Sequence, residues 1–243
     1  MPAIASAPDL ATPRLAPASA PFLGRSLAEY EKCFALNVPA LRGRDVLDVA
    51  AGPSSFTAEA CARKIDAVAV DPRYGCGPAA LTNQVRSDYE RHLAQVRARP
   101  RDFRLKSNAA LAAAELNWCC VAQRFLTDYE THFISNRYVS GSLPRLPFFD
   151  GTFDLVLCGH LLFLQGNGFD HDWHLAACRE LVRVTVDDAR IYPVGGEDGR
   201  PYPALARLRR ELRETGIAST VQAVEREFMA GPNSMLVLRR AES

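Results

Sequence analysis

The chain has almost no net charge: 29 Lys and Arg stand against 28 Asp and Glu, a balance of +1 over 243 residues. A protein that grips phosphate backbones carries a marked basic excess, so nucleic acid is not expected as a partner. No uninterrupted apolar stretch reaches the ~18 residues of a membrane span, so none is expected. Seven cysteines are present, yet no two are spaced C-x-x-C, which excludes a zinc ribbon and a thioredoxin-type motif. An odd number of thiols, several inside apolar runs, points to a reducing, cytoplasmic compartment. The vicinal pair Cys119-Cys120 suits either a soft metal or plain packing, and the apolar periodicity around it favours packing. Internal repeats are absent as well. What remains is an ordinary globular composition, 48% apolar and 23% charged, at a length of one generous domain.

Residues 1–21 are mostly Ala, Pro and Ser, with five prolines and a single Arg14. Proline at that density prevents a helix, and no charged segment precedes an apolar core, so the stretch reads as a disordered tail and not as a secretory signal. The domain is expected to run from 22 to 243. Ser26 is suited to cap a helix within 22–36 whose face carries Leu27, Tyr30 and Phe34, and which is expected to act as a lid. Asp45–Ala50 and Ile65–Val70 read as strands, with a helix from Phe56 to Lys64 between them that carries basic residues in its last turn. A helical insert is expected over 78–133, its stripes made by Leu81, Val85, Tyr89, Leu93 and Val96, then by Leu111, Trp118, Ala122, Phe125, Tyr129 and Phe133, with Pro100 between them. Six Arg and one Lys between Arg86 and Lys106 read as a solvated helix face or as a contact for an anionic group. Then follow strands at Arg137–Ser140, Phe153–Cys158 and Ala189–Pro193, and helices over 171–184 and around Leu205, Leu208 and Leu212. A hairpin, Thr220–Phe228 and Met235–Leu238, turns at Gly231-Pro232-Asn233. Strands alternating with helices predict a doubly wound α/β sheet.

In such a sheet ligands sit beyond the carboxyl ends of the strands. The first strand ends in Asp48-Val-Ala-Ala-Gly52-Pro-Ser-Ser55, where Gly52 permits close backbone approach and the next helix offers free amides. The second ends in Asp71, placed to accept hydrogen bonds from a ribose diol. One glycine stands where a dinucleotide loop has three, Pro53 fills the turn, and Asp48 repels phosphate. A nucleoside without phosphates, bearing a cation, fits better than a nicotinamide dinucleotide.

The runs Val46–Gly52, Ala67–Asp71 and Leu146-Pro-Phe-Phe-Asp-Gly-Thr-Phe-Asp-Leu-Val-Leu-Cys158 stand in the motif order of class I S-adenosylmethionine-dependent methyltransferases, which the chain resembles over about residues 44–240. Gly24-Arg-Ser with Tyr30, Ala51–Ala60 and Gly159-His-Leu-Leu-Phe163 further resemble a bacterial methyltransferase-like group of unknown substrate. The resemblance implies a Rossmann-like seven-stranded sheet with an antiparallel last strand, and S-adenosyl-L-methionine as cofactor. It implies that Asp48, Ala50 and Gly52, with neighbours Pro53 and Ser54, line the methionine part. Asp71 and Pro72 would hold the ribose, Ser142 and Leu143 the adenine, and Cys158 and Gly159 the amino-acid end. Many relatives carry Gly-Asp where this chain has Gly141-Ser142, and a serine hydroxyl accepts the adenine bond more weakly than a carboxylate. Arg25 is placed to reach the cofactor carboxylate or an acidic substrate.

Other absences narrow the reaction. No Asn-Pro-Pro-Tyr follows the fourth strand, no Pro-Cys dipeptide exists, and Tyr192-Pro193-Val has no Asp-Asn pair for a metal-bound catechol. Asp170-His171-Asp172-x-His174 offers metal-ligand types at the start of a helix, but Asp there is an ordinary cap, and no metal is expected. The expected activity is methyl transfer to a small molecule; the alternatives are a non-catalytic cofactor-binding module or a non-methyl use of the same cofactor. His160 follows the fourth strand at the mouth of the site, where two roles are open: a general base, or a hydrogen bond to the N-terminal helix or the backbone.

Overall fold

Aliphatic and β-branched runs too short for helices form the centre of the molecule. The computed structural model describes residues 23–98, 107–164, 168–196, 200–225 and 233–241. The proline-rich tail, Phe22, Pro100 and the Gly231-Pro232 turn lie outside them. In chain order the elements are α1 (Leu27–Phe34), β1 (Asp45–Val49), α2 (Phe56–Ala62), β2 (Asp66–Val70), α3 (Pro78–Ala98), α4 (Asn108–His132), β3 (Tyr138–Val139), β4 (Phe153–Gly159), α5 (His171–Val184), β5 (Thr185–Tyr192), α6 (Leu205–Glu214), β6 (Ile217–Ala223) and β7 (Ser234–Arg240). Single 3-10 turns at Val38–Leu41 and Pro72–Gly75 precede β1 and follow β2.

The seven strands form one sheet in the order β3-β2-β1-β4-β5-β7-β6. All neighbours are parallel except β7, which runs antiparallel to β5 and β6. This is the doubly wound α/β sheet expected, antiparallel last strand included. Register levels the carboxyl ends of the central strands: Val49 faces Val70 on one side and Cys158 on the other, and Gly159 faces Tyr192. One face buries Leu47, Val49, Phe153, Val156, Cys158 and Ile191 against α5 and α6; the other buries Val46, Leu155, Leu157 and Tyr192 against α1 and α2. A third cluster joins α3 and α4 to β2 and β3 through Tyr74, Tyr89, Phe125, Tyr129 and Tyr138.

Several elements differ from the sequence reading. α2 stops at Ala62, so Arg63 and Lys64 fall beyond its last turn. β5 starts at Thr185, directly after α5 and four residues before Ala189. The Thr185 hydroxyl binds the carbonyls of Phe153 and Asp188, 3.2 Å each, which turns helix into strand without a loop. β6 begins at Ile217 rather than Thr220, just after Gly216. Leu93, Leu111 and Trp118 are only half-buried, and Cys119 and Cys120 are exposed on α4, so that pair does not pack as expected. In the described part of the basic segment Arg86, Arg91 and Arg97 are exposed.

The N-terminal helix α1 is held from both ends. Ser26 and Glu29 form a capping box, with the Ser26 amide on the Glu29 carboxylate at 2.7 Å, and the helix ends at Ala35 with φ 48°. Its inner face is closed off completely: Leu27, Cys33 and Phe34 are each 1% exposed and Tyr30 is 4%. Arg190 on β5 donates to the carbonyls of Phe34 (2.8 Å) and Ala35 (3.3 Å), satisfying the helix end from beneath. In this structure α1 packs as a layer against the sheet, buried along its inner face and tied at both ends. Phe34→Ala is therefore expected to lower unfolding free energy by about 3–5 kcal/mol in urea titrations; a loss below about 1 kcal/mol would support the picture of a loosely docked lid.

Candidate functional site

Three strand ends, three loops and α1 converge at the carboxyl edge of the sheet. Asp48 is the next-to-last residue of β1 and has no exposure to solvent. Its two oxygens accept from the Tyr30 hydroxyl at 2.9 and 3.0 Å, and Tyr30 stacks on Phe56 with ring centroids 4.3 Å apart. Burial pushes the Asp48 carboxyl well above its ordinary range; the Tyr30 hydroxyl pulls it back, and the charge of Asp71 adds to the rise. Burial and then the Asp48 charge likewise hold Tyr30 well above the usual phenol value, so it stays a donor.

After β1 the backbone turns through unusual conformations. Ala50 has φ 56°, uncommon for a residue with a side chain, and Gly52 has φ 57°. The Gly52 amide donates to Asp71 at 3.2 Å, and the Tyr74 hydroxyl donates to the Gly52 carbonyl. The N-terminal segment then lies directly on this loop. A Cβ on Gly24 would stand 1.9 Å from the Pro53 carbonyl oxygen, so only glycine allows the crossing. The Gly24 amide donates to the Tyr89 hydroxyl of α3 (3.1 Å), and the Arg25 amide to the Ser54 hydroxyl (3.0 Å). Arg25 is near enough for its charge to lower the titration of Tyr30, Tyr89 and His92, which places it between α1 and α3. Burial, then Arg25, hold His92 below its ordinary value.

Asp71, 7% exposed, follows β2 and accepts from the amides of Gly52 and Arg73 (2.9 Å), one on each oxygen. Burial raises its carboxyl, against the pull of those two bonds. Pro72 opens the 3-10 turn beside it. Across β2, the Gly141 amide binds the Asp71 carbonyl at 3.4 Å, and Ser142 bridges to Arg145 around Leu143.

β4 ends in Cys158 and Gly159. The Cys158 side chain is enclosed in the core, leaving only its main chain near the edge. His160 then takes φ 56°, its amide donates to the Tyr192 carbonyl at 2.6 Å, and its ring meets the Tyr192 ring edge-on at 5.2 Å. Two non-glycine residues at positive φ, Ala50 and His160, thus follow adjacent strands, a concentration of strain usual where a backbone is shaped for a ligand.

The structure brings the sequence-predicted residues to one edge in two layers. Ala50, Pro72, Ser142, Gly159, His160 and Arg25 are half-buried and form the rim; Asp48, Gly52, Pro53, Ser54, Asp71, Leu143 and Cys158 lie beneath. Sequence reasoning missed Tyr74 and Tyr89, whose hydroxyls hold the loop and the N-terminal segment. Periodicity placed Tyr89 on a helix stripe, but only the packing of α3 and the 3-10 turn reveals what the two hydroxyls hold. The metal-like cluster resolves otherwise. Asp170 caps α5 on the Trp173 amide, His171 Nε2 pairs with Glu211 at 2.8 Å, and the ring nitrogens of His174 lie 2.7 and 2.8 Å from the Asp170 and Leu162 carbonyls. Among the described residues no group of three or more His, Cys, Asp or Glu could hold a metal ion. No described helix is long and apolar enough to cross a membrane.

No family model matches the chain. It is 28% identical over 225 residues to an uncharacterized protein of Methanocaldococcus jannaschii, MJ0045, covering 90% of this chain and 95% of that one. Among solved structures it is similar to the magnesium protoporphyrin IX methyltransferase of Synechocystis with bound S-adenosylmethionine (15% identity, TM-score 0.46, 88% of this chain and 76% of that one). It is also similar to the 1,6-didemethyltoxoflavin N1-methyltransferase of Burkholderia thailandensis with bound 1,6-didemethyltoxoflavin and S-adenosylhomocysteine (18%, TM-score 0.44, 86% and 76%).

The buried Asp48 sets a pH dependence. Its folded carboxyl holds a proton more tightly than the unfolded one, so stability falls as pH rises from about 4 towards the folded value. Asp48→Asn keeps an acceptor for Tyr30 and removes the charge. The variant is expected to be more stable than the parent at about pH 8, by a margin that shrinks towards about pH 4 in urea titrations. A margin that does not vary with pH would show that Asp48 is not ionising in place.

Proposed function

We propose that the chain is an S-adenosylmethionine-dependent methyltransferase acting on a small-molecule acceptor in the cytoplasm. The observation that carries the reading is the pair of buried carboxylates, Asp48 and Asp71, on adjacent strand ends around a loop shaped by Ala50 and Gly52. Each carboxyl is raised by burial, and the charge of Asp71 adds to the rise at Asp48, so the edge is suited to a ligand that brings positive charge and hydroxyl donors. A phosphate would meet the opposite field. Free thiols at all seven cysteines support the reducing compartment.

The residues present fit the cofactor. Each oxygen of Asp71 uses one acceptor position on an amide and keeps another for a ribose hydroxyl. Asp48, held by Tyr30, would face the charged methionine end across the Ala50–Gly52 main chain, with Arg25 on the carboxylate side. Pro72, Ser142 and Leu143 would border the base, and the Cys158–Gly159 main chain the amino-acid end. When bound, S-adenosylmethionine supplies a methyl group on a sulfonium, open to in-line displacement by a nucleophile. The chain's own part is to align the acceptor, exclude water and, for a hydroxyl or ammonium acceptor, take a proton. His160 stands at the rim for that last step, its ring set against Tyr192.

Titration calorimetry is expected to show binding of S-adenosylmethionine and S-adenosylhomocysteine and none of NAD. Asp71→Ala should weaken S-adenosylhomocysteine by roughly 30- to 150-fold, the equivalent of ~2–3 kcal/mol for a charge-assisted contact. Unchanged affinity in a folded Asp71→Ala would remove the cofactor from that position. With an acceptor in hand, His160→Asn is expected to cut turnover by ~10²-fold or more at unchanged cofactor affinity. Turnover within about threefold of the parent would leave His160 a backbone anchor and nothing more.

A further inference from the structure

At the amino-terminal ends of β4 and β5, on the edge opposite the candidate cofactor site, lies a groove of about 510 Å³. That volume is ample for a small ligand. It is lined by four arginines, Arg44, Arg190, Arg239 and Arg240, against three aspartates, Asp154, Asp187 and Asp188.

The carboxylates are already taken. Asp188 accepts from both Arg239 and Arg190, and Arg44 pairs with Asp187 and lies 3.5 Å from Asp154. Burial would raise the Asp188 carboxyl, but the two guanidiniums prevail and hold it below the ordinary range, so it remains charged and paired. A cation would have to displace these partners. The fourth guanidinium differs: Arg240 is exposed and bonds the Arg183 carbonyl at 3.1 Å, and among the described residues no carboxylate faces it. Arg239, though paired, keeps 64% of its side chain exposed. At the same groove Val186 is 58% exposed, with Leu41 and Leu155 buried beneath the lining.

We propose that this groove is a second ligand site, for a small organic oxyanion (a carboxylate or phosphate ester with an apolar body). The oxyanion meets Arg240 and the outer faces of Arg239 and Arg44, where guanidinium forks match its geometry, and the apolar body lies on Val186. The site does not depend on the reading of the opposite edge, and it is measured by binding alone.

Arginine Nε–H resonances of the full chain, followed by NMR at constant ionic strength, test it directly. Benzoate, phenyl phosphate, inorganic phosphate and the neutral benzamide serve as probes. Saturable shifts at Arg239 and Arg240 with benzoate or phenyl phosphate, and none with benzamide, are expected. Arg240→Gln should weaken that binding about tenfold or more while circular dichroism shows an unchanged fold. Val186→Ser should weaken phenyl phosphate and leave inorganic phosphate unaffected. Shifts that rise linearly with concentration, or affinities untouched by Arg240→Gln, would overturn the site. Inorganic phosphate binding as tightly as phenyl phosphate would overturn the apolar half of the assignment.

Discussion

A carboxylate with no access to water sits at the end of the central strand, and much of the molecule's upper edge exists to give it a partner. Charge in that position costs several kcal/mol unless hydrogen bonds offset it. Asp48 is partnered by one hydroxyl, that of Tyr30, whose single proton is shared between its two oxygens and which comes from a helix eighteen residues earlier in the chain. For that hydroxyl to arrive, α1 must dock face-down: Phe56 stacks beneath Tyr30, Phe34 reaches Gly159, and Arg190 ties the helix end to β5. The helix packs into the core with its Tyr30 hydroxyl on Asp48.

The same demand shapes the loops. Gly24 must pass against the Pro53 carbonyl for α1 to start where it does, and the Gly52 amide must point at Asp71 for the loop to close. Tyrosines from three further places finish the arrangement: Tyr74 holds Gly52, Tyr89 holds Gly24, and Tyr192 stands against His160. These bonds tie the loops of the carboxyl edge to one another and to α3.

The two ends of the sheet differ in physical character. At the carboxyl end two acids, Asp48 and Asp71, are buried together, each carboxyl raised by burial. At the amino end the three lining acids are paired with arginines, and Arg240 bonds a carbonyl instead. Parallel strands separate the two edges by the length of β4 and β5.

Periodicity and strand-end residues alone made the α/β class legible, because a doubly wound sheet needs only short apolar runs, turn residues and amphipathic helices in alternation. Asp48, Gly52 and Asp71 stood out for the same reason: strand ends are local features, and an acid or a glycine there is visible without any knowledge of neighbours. Element boundaries slipped where local signals compete, as at Thr185, whose hydroxyl lets a strand begin with no loop, and at Cys119-Cys120, where an apolar-looking run faces outward. The closure of the site was not legible. How α1 packs depends on Arg190, Phe56 and Asp48, which are distant in sequence and meet only when the sheet forms. The strain at Ala50 and His160 has no sequence mark at all, since any residue can be forced to positive φ by the packing around it. The chain itself determined which chemistry lies at the strand ends; only the tertiary structure decided which of those groups are buried, which are paired and which face the rim, because burial and pairing are properties of neighbours that the chain brings together from far apart.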